Sequence, residues 1–135
     1  MLAREHFEQR GQTNRVEWPG LTSLKDYRNM LMQSGCHFYF TRPFVPSWSI
    51  LEALSCGCLL VATDHPCVTE LVGVGKESAA ILVDHRKPDQ AVNHILEALS
   101  DEELLKHKRL LSRERAHLFD RRRTVHELST ALLSL

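Results

Sequence analysis

The chain has no apolar run long enough to cross a bilayer, and its charged start, MLAREHFEQR, lacks the apolar core of a signal peptide. A cytoplasmic location with at most peripheral membrane contact is therefore the expectation. An excess of either charge is missing too. Lysine plus arginine equals aspartate plus glutamate at 17 each, so no overall field recruits nucleic acid or an anionic membrane. The four cysteines have no regular spacing, which suits reduced thiols better than a disulfide framework. Cys56, Cys58, His65 and Cys67 offer four soft ligands in a short span, but their spacing matches no paired zinc knuckle, so no metal is expected. Nor is there a phosphate loop of a known type. Gly73-Val74-Gly75-Lys76 has the spacing neither of a Walker loop nor of G-x-G-x-x-G, and reads as a turn.

What is present is a chain of 135 residues, 43% hydrophobic and 25% charged. That length makes one domain able to bury roughly two thirds of its unfolded surface. Residues 1–14 read as a surface helix ended by Gly11. Arg15 to Trp18 is a strand candidate, turned out by Pro19-Gly20. Thr22 or Ser23 caps the next helix, which carries Leu24, Tyr27 and Leu31 at helical spacing and ends at Gly35 in the left-handed conformation. His37 to Phe40 is a second strand, and its lone histidine reads as a hydrogen-bonded structural residue. Cys58 to Ala62 is a continuous apolar run, the mark of a strand covered on both faces. Val68, Leu71 and Val72 give a short helix in which Glu70 is a surface or capping residue, and Ala80 to Val83 is a fourth strand. Pro88 and Asp89 open a helix with Ala91, Val92, Ile95, Leu96 and Leu99 on its buried face. Ser100 to Glu103 reads as a capping box that starts a helix through Leu118. Arg121 to Arg123 is a solvated joint between helices, and Val125, Leu128, Leu132 and Leu135 form a last amphipathic stripe. Strand and helix alternate, so the expectation is an α/β fold with an open, mainly parallel sheet of about four strands over residues 15–100, and C-terminal helices over 101–135.

The stretch from Thr41 to Cys58, TRPFVPSWSILEALSCGC, implies chemistry as well as packing. It reads as a strand end, a tight loop held from helical dihedrals by Pro43 and Pro46, and a helix capped by Ser49. Glu52 stands three residues after Ser49, so one reading ties its carboxylate to its own helix start in a capping box. The other reading leaves Glu52 for a ligand. Free amides at a helix start, beside the carboxyl end of a buried strand, are where phosphates bind in open α/β sheets.

TRPFVPSWSILEALSCGCLLVATD resembles the donor-binding segment of GT-B fold, nucleotide-sugar-dependent retaining glycosyltransferases (group 1, family 4 type), with similarity from about Asn14 to the C-terminus. The family pattern is two glutamates separated by seven residues, then a short helix, a glycine and a buried strand. Glu52 takes the second glutamate position, Gly57 and Leu59 to Asp64 fit the glycine and the strand, and Phe44 replaces the first glutamate. The resemblance implies a nucleoside diphosphate sugar as donor, transfer to an unidentified acceptor with configuration retained, and no cofactor or metal. It implies that Glu52 meets the ribose hydroxyls, that the backbone amides of Trp48, Ser49 and Ile50 meet the diphosphate, that Phe44 lines the sugar pocket, and that Val16 to Trp18 contact the base, Val16 and Trp18 being the candidates. No residue stands out as a catalytic acid or base. It also implies a partial Rossmann-like donor domain: the strands that carry the family's glycine-rich turn and diphosphate-gripping Arg and Lys have no counterpart, nor has the acceptor domain. A missing N-terminal half or a second copy is the expected partner. The alternative is a non-catalytic truncated α/β module that associates with itself or a partner chain.

Overall fold

In the computed structural model, which describes residues 3–40 and 46–134, three short parallel strands form the centre. β1 (His37–Tyr39), β2 (Leu60–Thr63) and β3 (Ala80–Val83) lie in that order, with Phe38 opposite Val61 and Val61 opposite Ile81. All four residues of the middle strand β2 are buried, which is why its sequence is an apolar run and not an alternation.

Helices cover both faces of the sheet. α1 (Ala3–Gln9) stands on the surface and ends at Gly11, whose φ is +62°. α2 (Leu24–Gln33), α3 (Trp48–Ser55) and α4 (Pro66–Val72) send Leu31, Ile50, Leu54, Val68 and Val72 onto the face formed by Tyr39, Leu60, Ala62 and Ala80. α5 (Pro88–Ser100) covers the other face, packing Ala91 and Ile95 on Val61 and Val83. Each Leu, Ile or Val side chain taken fully out of water contributes roughly 1.5–3 kcal/mol, so these two clusters hold the layers together. The result is a Rossmann-like open sheet between helical layers.

α6 (Glu102–His117) joins the first face and ties it together through polar side chains. Arg109 Nη2 donates to the Ser34 carbonyl at 3.1 Å, Lys108 Nζ to that of Ser78 at 2.6 Å, and Arg115 Nε to that of Leu71 at 2.8 Å. The buried Ser112 hydroxyl donates to the Cys58 carbonyl at 2.8 Å and lies 3.3 Å from that of Ala79. Between α3 and β2 the chain reverses at Gly57, with φ +68°, where an added Cβ would stand 2.6 Å from Arg113 Nε of α6. α7 (Arg121–Leu133) is capped by Asp120 and buries none of its described residues; Val125, Leu128 and Leu132 are exposed, and Leu135 lies outside the described residues.

Five expectations need correction. Arg15 to Trp18 is no strand: Thr13–Arg15 is a 3-10 turn and Val16 leaves it in extended geometry without pairing, so the described sheet has three strands. Gly35 does not end α2 in the left-handed conformation, because Ser34 at the cap is already extended (φ −63°, ψ 135°) and leads toward β1. On α5, Val92, Leu96 and Leu99 are exposed, since only the stripe of Ala91, Ile95 and Ala98 meets the rest of the fold. Ser100 closes α5 by donating to Leu96 O, and Asp101, whose carboxylate accepts from Leu104 N at 3.0 Å, caps α6 in its place. The helix expected to run through Leu118 stops one residue earlier, at His117, with Leu118 as its C-terminal cap.

Candidate functional site

The site grows from the end of β1. Tyr39 is buried, and its hydroxyl accepts from the Ser47 amide at 2.7 Å, which sets where the following helix starts. Ser47 is extended (φ −81°, ψ 159°); its Oγ accepts from Ser49 N at 3.2 Å and its carbonyl from Ile50 N at 3.3 Å. Ser47 is therefore the cap of α3, and the predicted Ser49–Glu52 capping box does not form. The cap sits two residues earlier than expected because a tertiary bond to Tyr39 holds it there. Two of the three amides expected to face a diphosphate, those of Ser49 and Ile50, already have partners in this cap.

Glu52 is left with its carboxylate outside the helix start. It is exposed, and Oε2 accepts from the Tyr27 hydroxyl of α2 at 3.3 Å. Burial, with the Glu52 charge adding to it, raises the Tyr27 phenol above its ordinary value, so the phenol remains the donor. Tyr27, Arg28, Trp48, Leu51, Glu52 and Phe119 line a groove of about 260 Å³. A second hollow of about 250 Å³, lined by Pro46, Ser47 and Leu71, shares Trp48 and Leu51 with it. Trp48, 80% exposed, thus borders both. An exposed carboxylate with two acceptor oxygens, an open indole face and a guanidinium suit a diol, a flat ring and an anion respectively.

The other expected residues are dispersed. Ile50 is fully buried, so only its backbone could face a ligand. Trp18 packs edge-on to Phe7 with ring centres 6.1 Å apart, Val16 is half-buried, and neither lines the two grooves. Phe44, like Pro43, lies outside the described residues. Tyr27 and Arg28, which line the Glu52 groove, were not among the expected residues. The half-buried phenol was their one signal, since such a hydroxyl needs a partner, but the apolar spacing assigned it to packing alone.

Elsewhere along the carboxyl ends of the strands, charges are internally engaged. Arg86 grips Asp84 through Nε and Nη2, both at 2.9 Å, and holds its carboxyl well below the usual carboxylate range. The Thr63 hydroxyl, at the end of β2, is buried without a partner among the described residues. Burial lowers His37, which fits a neutral structural imidazole. Cys58 donates to the Leu31 carbonyl at 3.0 Å, and its thiol is pushed up to about 11, first by burial and then by Cys56. Cys67 instead pairs with His65 Nδ1 at 3.1 Å, and among the described residues no three His, Cys, Asp or Glu side chains are grouped to hold a metal.

A three-stranded parallel sheet flanked by helices, with a carboxylate groove beside α3, is a Rossmann-like α/β domain. The chain matches the family model of glycosyl transferases group 1 over residues 3–115, and it belongs to that family. No curated protein and no solved structure matches it.

Proposed function

We propose that the chain is the donor-binding part of a retaining GT-B glycosyltransferase that moves a sugar from a nucleoside diphosphate sugar to an acceptor. The observation that carries this reading is the Glu52 carboxylate, free of the helix cap and presented beside Tyr27 in a groove at the first helix after β1. In this reading Glu52 accepts from both ribose hydroxyls while Tyr27 holds its Oε2. Trp48 gives a flat apolar face to the donor. Arg28 supplies charge for the diphosphate, and the Trp48 amide adds a donor without disturbing Ser47; an anion that reached the Ser49 amide would have to displace the Ser47 hydroxyl. Retention of configuration and the GT-B architecture rest on the resemblance of residues 41–64 to retaining members, with Phe44 lining the sugar pocket. No metal or cofactor is needed for donor binding.

A completing half, from another polypeptide segment or a second copy, belongs to the same reading. What supports it is the outer edge of β1, where Phe38 and Phe40 are each 52% exposed with ring centres 5.8 Å apart. The same observation favours the second reading, a non-catalytic module that associates through this edge.

Saturation-transfer NMR with ADP, GDP, UDP and dTDP tests the proposal. Transfer to ribose protons of at least one nucleotide, weakened by Glu52→Gln and by Arg28→Ala, is the expected result. An absence of transfer to every nucleotide, or transfer unchanged in Glu52→Gln, would overturn the assignment.

A further inference from the structure

A separate groove of about 340 Å³ lies beside the edge strand β3, sharing no residue with the Glu52 groove. Ala80, Ile81, Leu82, Ala98 and Leu104 give it apolar walls, and Lys108 of α6 enters from one side. The Lys108 amine is half-buried, donates to the Ser78 carbonyl, and forms no ion pair among the described residues. Lys25, Lys76 and Lys87 are exposed, and Lys106 is held by Glu102 and Glu103 at 2.9 and 3.2 Å. Lys108 is thus the one lysine whose amine meets both apolar walls and a hollow large enough for a small acyl group.

We propose that Lys108 is a modification site, acylated by an acyl phosphate whose acyl group rests on the apolar wall of this groove. The neutral amine attacks the acyl carbon, the bond from that carbon to the phosphate oxygen breaks, and the nitrogen sheds one proton. Inorganic phosphate leaves with the bonding pair and takes that proton, so a neutral amide remains. Three facts favour the step here. Burial lowers the amine's affinity for its proton, with Glu77 opposing, whereas the Glu102 and Glu103 bonds raise that of Lys106. His94 and Glu97 of α5, 3.6 Å apart, line the same groove and offer a route for the proton. The charge that acylation removes is the one that strengthens the α6 tie to the start of β3, so modification loosens this helix from the sheet.

The test is acetylation of the full chain by acetyl phosphate at neutral pH, followed by mass spectrometry of each lysine over time. Lys108 should acquire the acetyl group several-fold faster than Lys25, Lys76 or Lys87, with Lys106 slowest, and the preference should vanish in concentrated urea. A Lys108 rate no higher than that of Lys25 would refute the proposal. So would a preference that persists in urea, because it would then belong to the local sequence and not to the groove. His94→Ala, on the surface of α5, should slow Lys108 alone; if it slows all lysines equally, or none, the groove does not assist the reaction.

Discussion

Replacing Ser47, Ser49 and Glu52 one at a time separates a cap from a ligand site. Ser47 Oγ holds the Ser49 amide at 3.2 Å, so Ser47→Ala removes the cap of α3 and should cost about 1 kcal/mol, within a range of about 0.5–2. For a domain of this size that corresponds to a fall of roughly 3–5 °C in Tm. Among the described residues the Ser49 hydroxyl meets only that of Ser47, and Ser49→Ala should cost under about 0.5 kcal/mol. Glu52→Gln keeps an acceptor for Tyr27, whose bond is long at 3.3 Å, and should also cost under about 0.5 kcal/mol. Urea unfolding followed by far-ultraviolet circular dichroism reads all three on one scale. A helix capped by Ser49 with Glu52 reaching back would invert the order. If Ser49→Ala proves as costly as Ser47→Ala, or Glu52→Gln loses as much as a cap, Glu52 is structural and the donor groove loses its central residue.

Ser112→Ala should cost about 1–3 kcal/mol in the same assay, because the buried carbonyl of Cys58 loses its bond from a fully buried hydroxyl; a loss under about 0.5 kcal/mol would show that water replaces it. His37 has a folded value below its unfolded value of about 6.5, so the unfolded chain takes the proton first as pH falls. Stability should therefore rise with pH up to about 6.5 and level off above it; an unaltered slope in His37→Gln, measured by urea unfolding at about pH 5 and pH 7, would assign the effect to other groups. Light scattering at high concentration should show association that Phe38→Lys with Phe40→Lys reduces, since both changes charge the open edge of β1; a monomeric parent chain would refute this.

The parts of the fold that were readable are those where burial writes itself into local order. Cys58 to Ala62 is buried throughout and so reads as an unbroken apolar run, and Gly11 ends α1 in the left-handed conformation that a glycine allows. The parts that were not readable depend on distant partners. Ser49 fits the capping-box spacing, and the shift of the cap to Ser47 goes with a bond from its amide to Tyr39, eight residues away. Arg15 to Trp18 has strand-forming residues but no neighbouring strand to pair with, and Trp18 settles on Phe7 instead. Glu52 and Tyr27 lie 25 residues apart, so their contact leaves no trace in local spacing. Of the groove's lining, Glu52 and Trp48 stand in the motif stretch, while Tyr27, Arg28 and Phe119 reach it from distant segments.

The bonds from α6 also constrain the order of events during synthesis. Carbonyls of Ser34, Cys58, Leu71 and Ser78 take donors from residues 108 to 115, which leave the ribosome long after the sheet strands do. At about 5–20 residues per second, the strands wait roughly 2–7 s for this helix. During that interval β2 has its neighbours and α2, α3 and α4 on one face, but the surrounding loops lack the bonds that α6 supplies. A translational pause just after residue 80 would extend that interval, whereas fast passage through the α5 and α6 codons would shorten it. The soluble yield of the chain should therefore respond to codon choice in the segment encoding residues 88–117 more than in the segment encoding α7, which nothing in the sheet waits for.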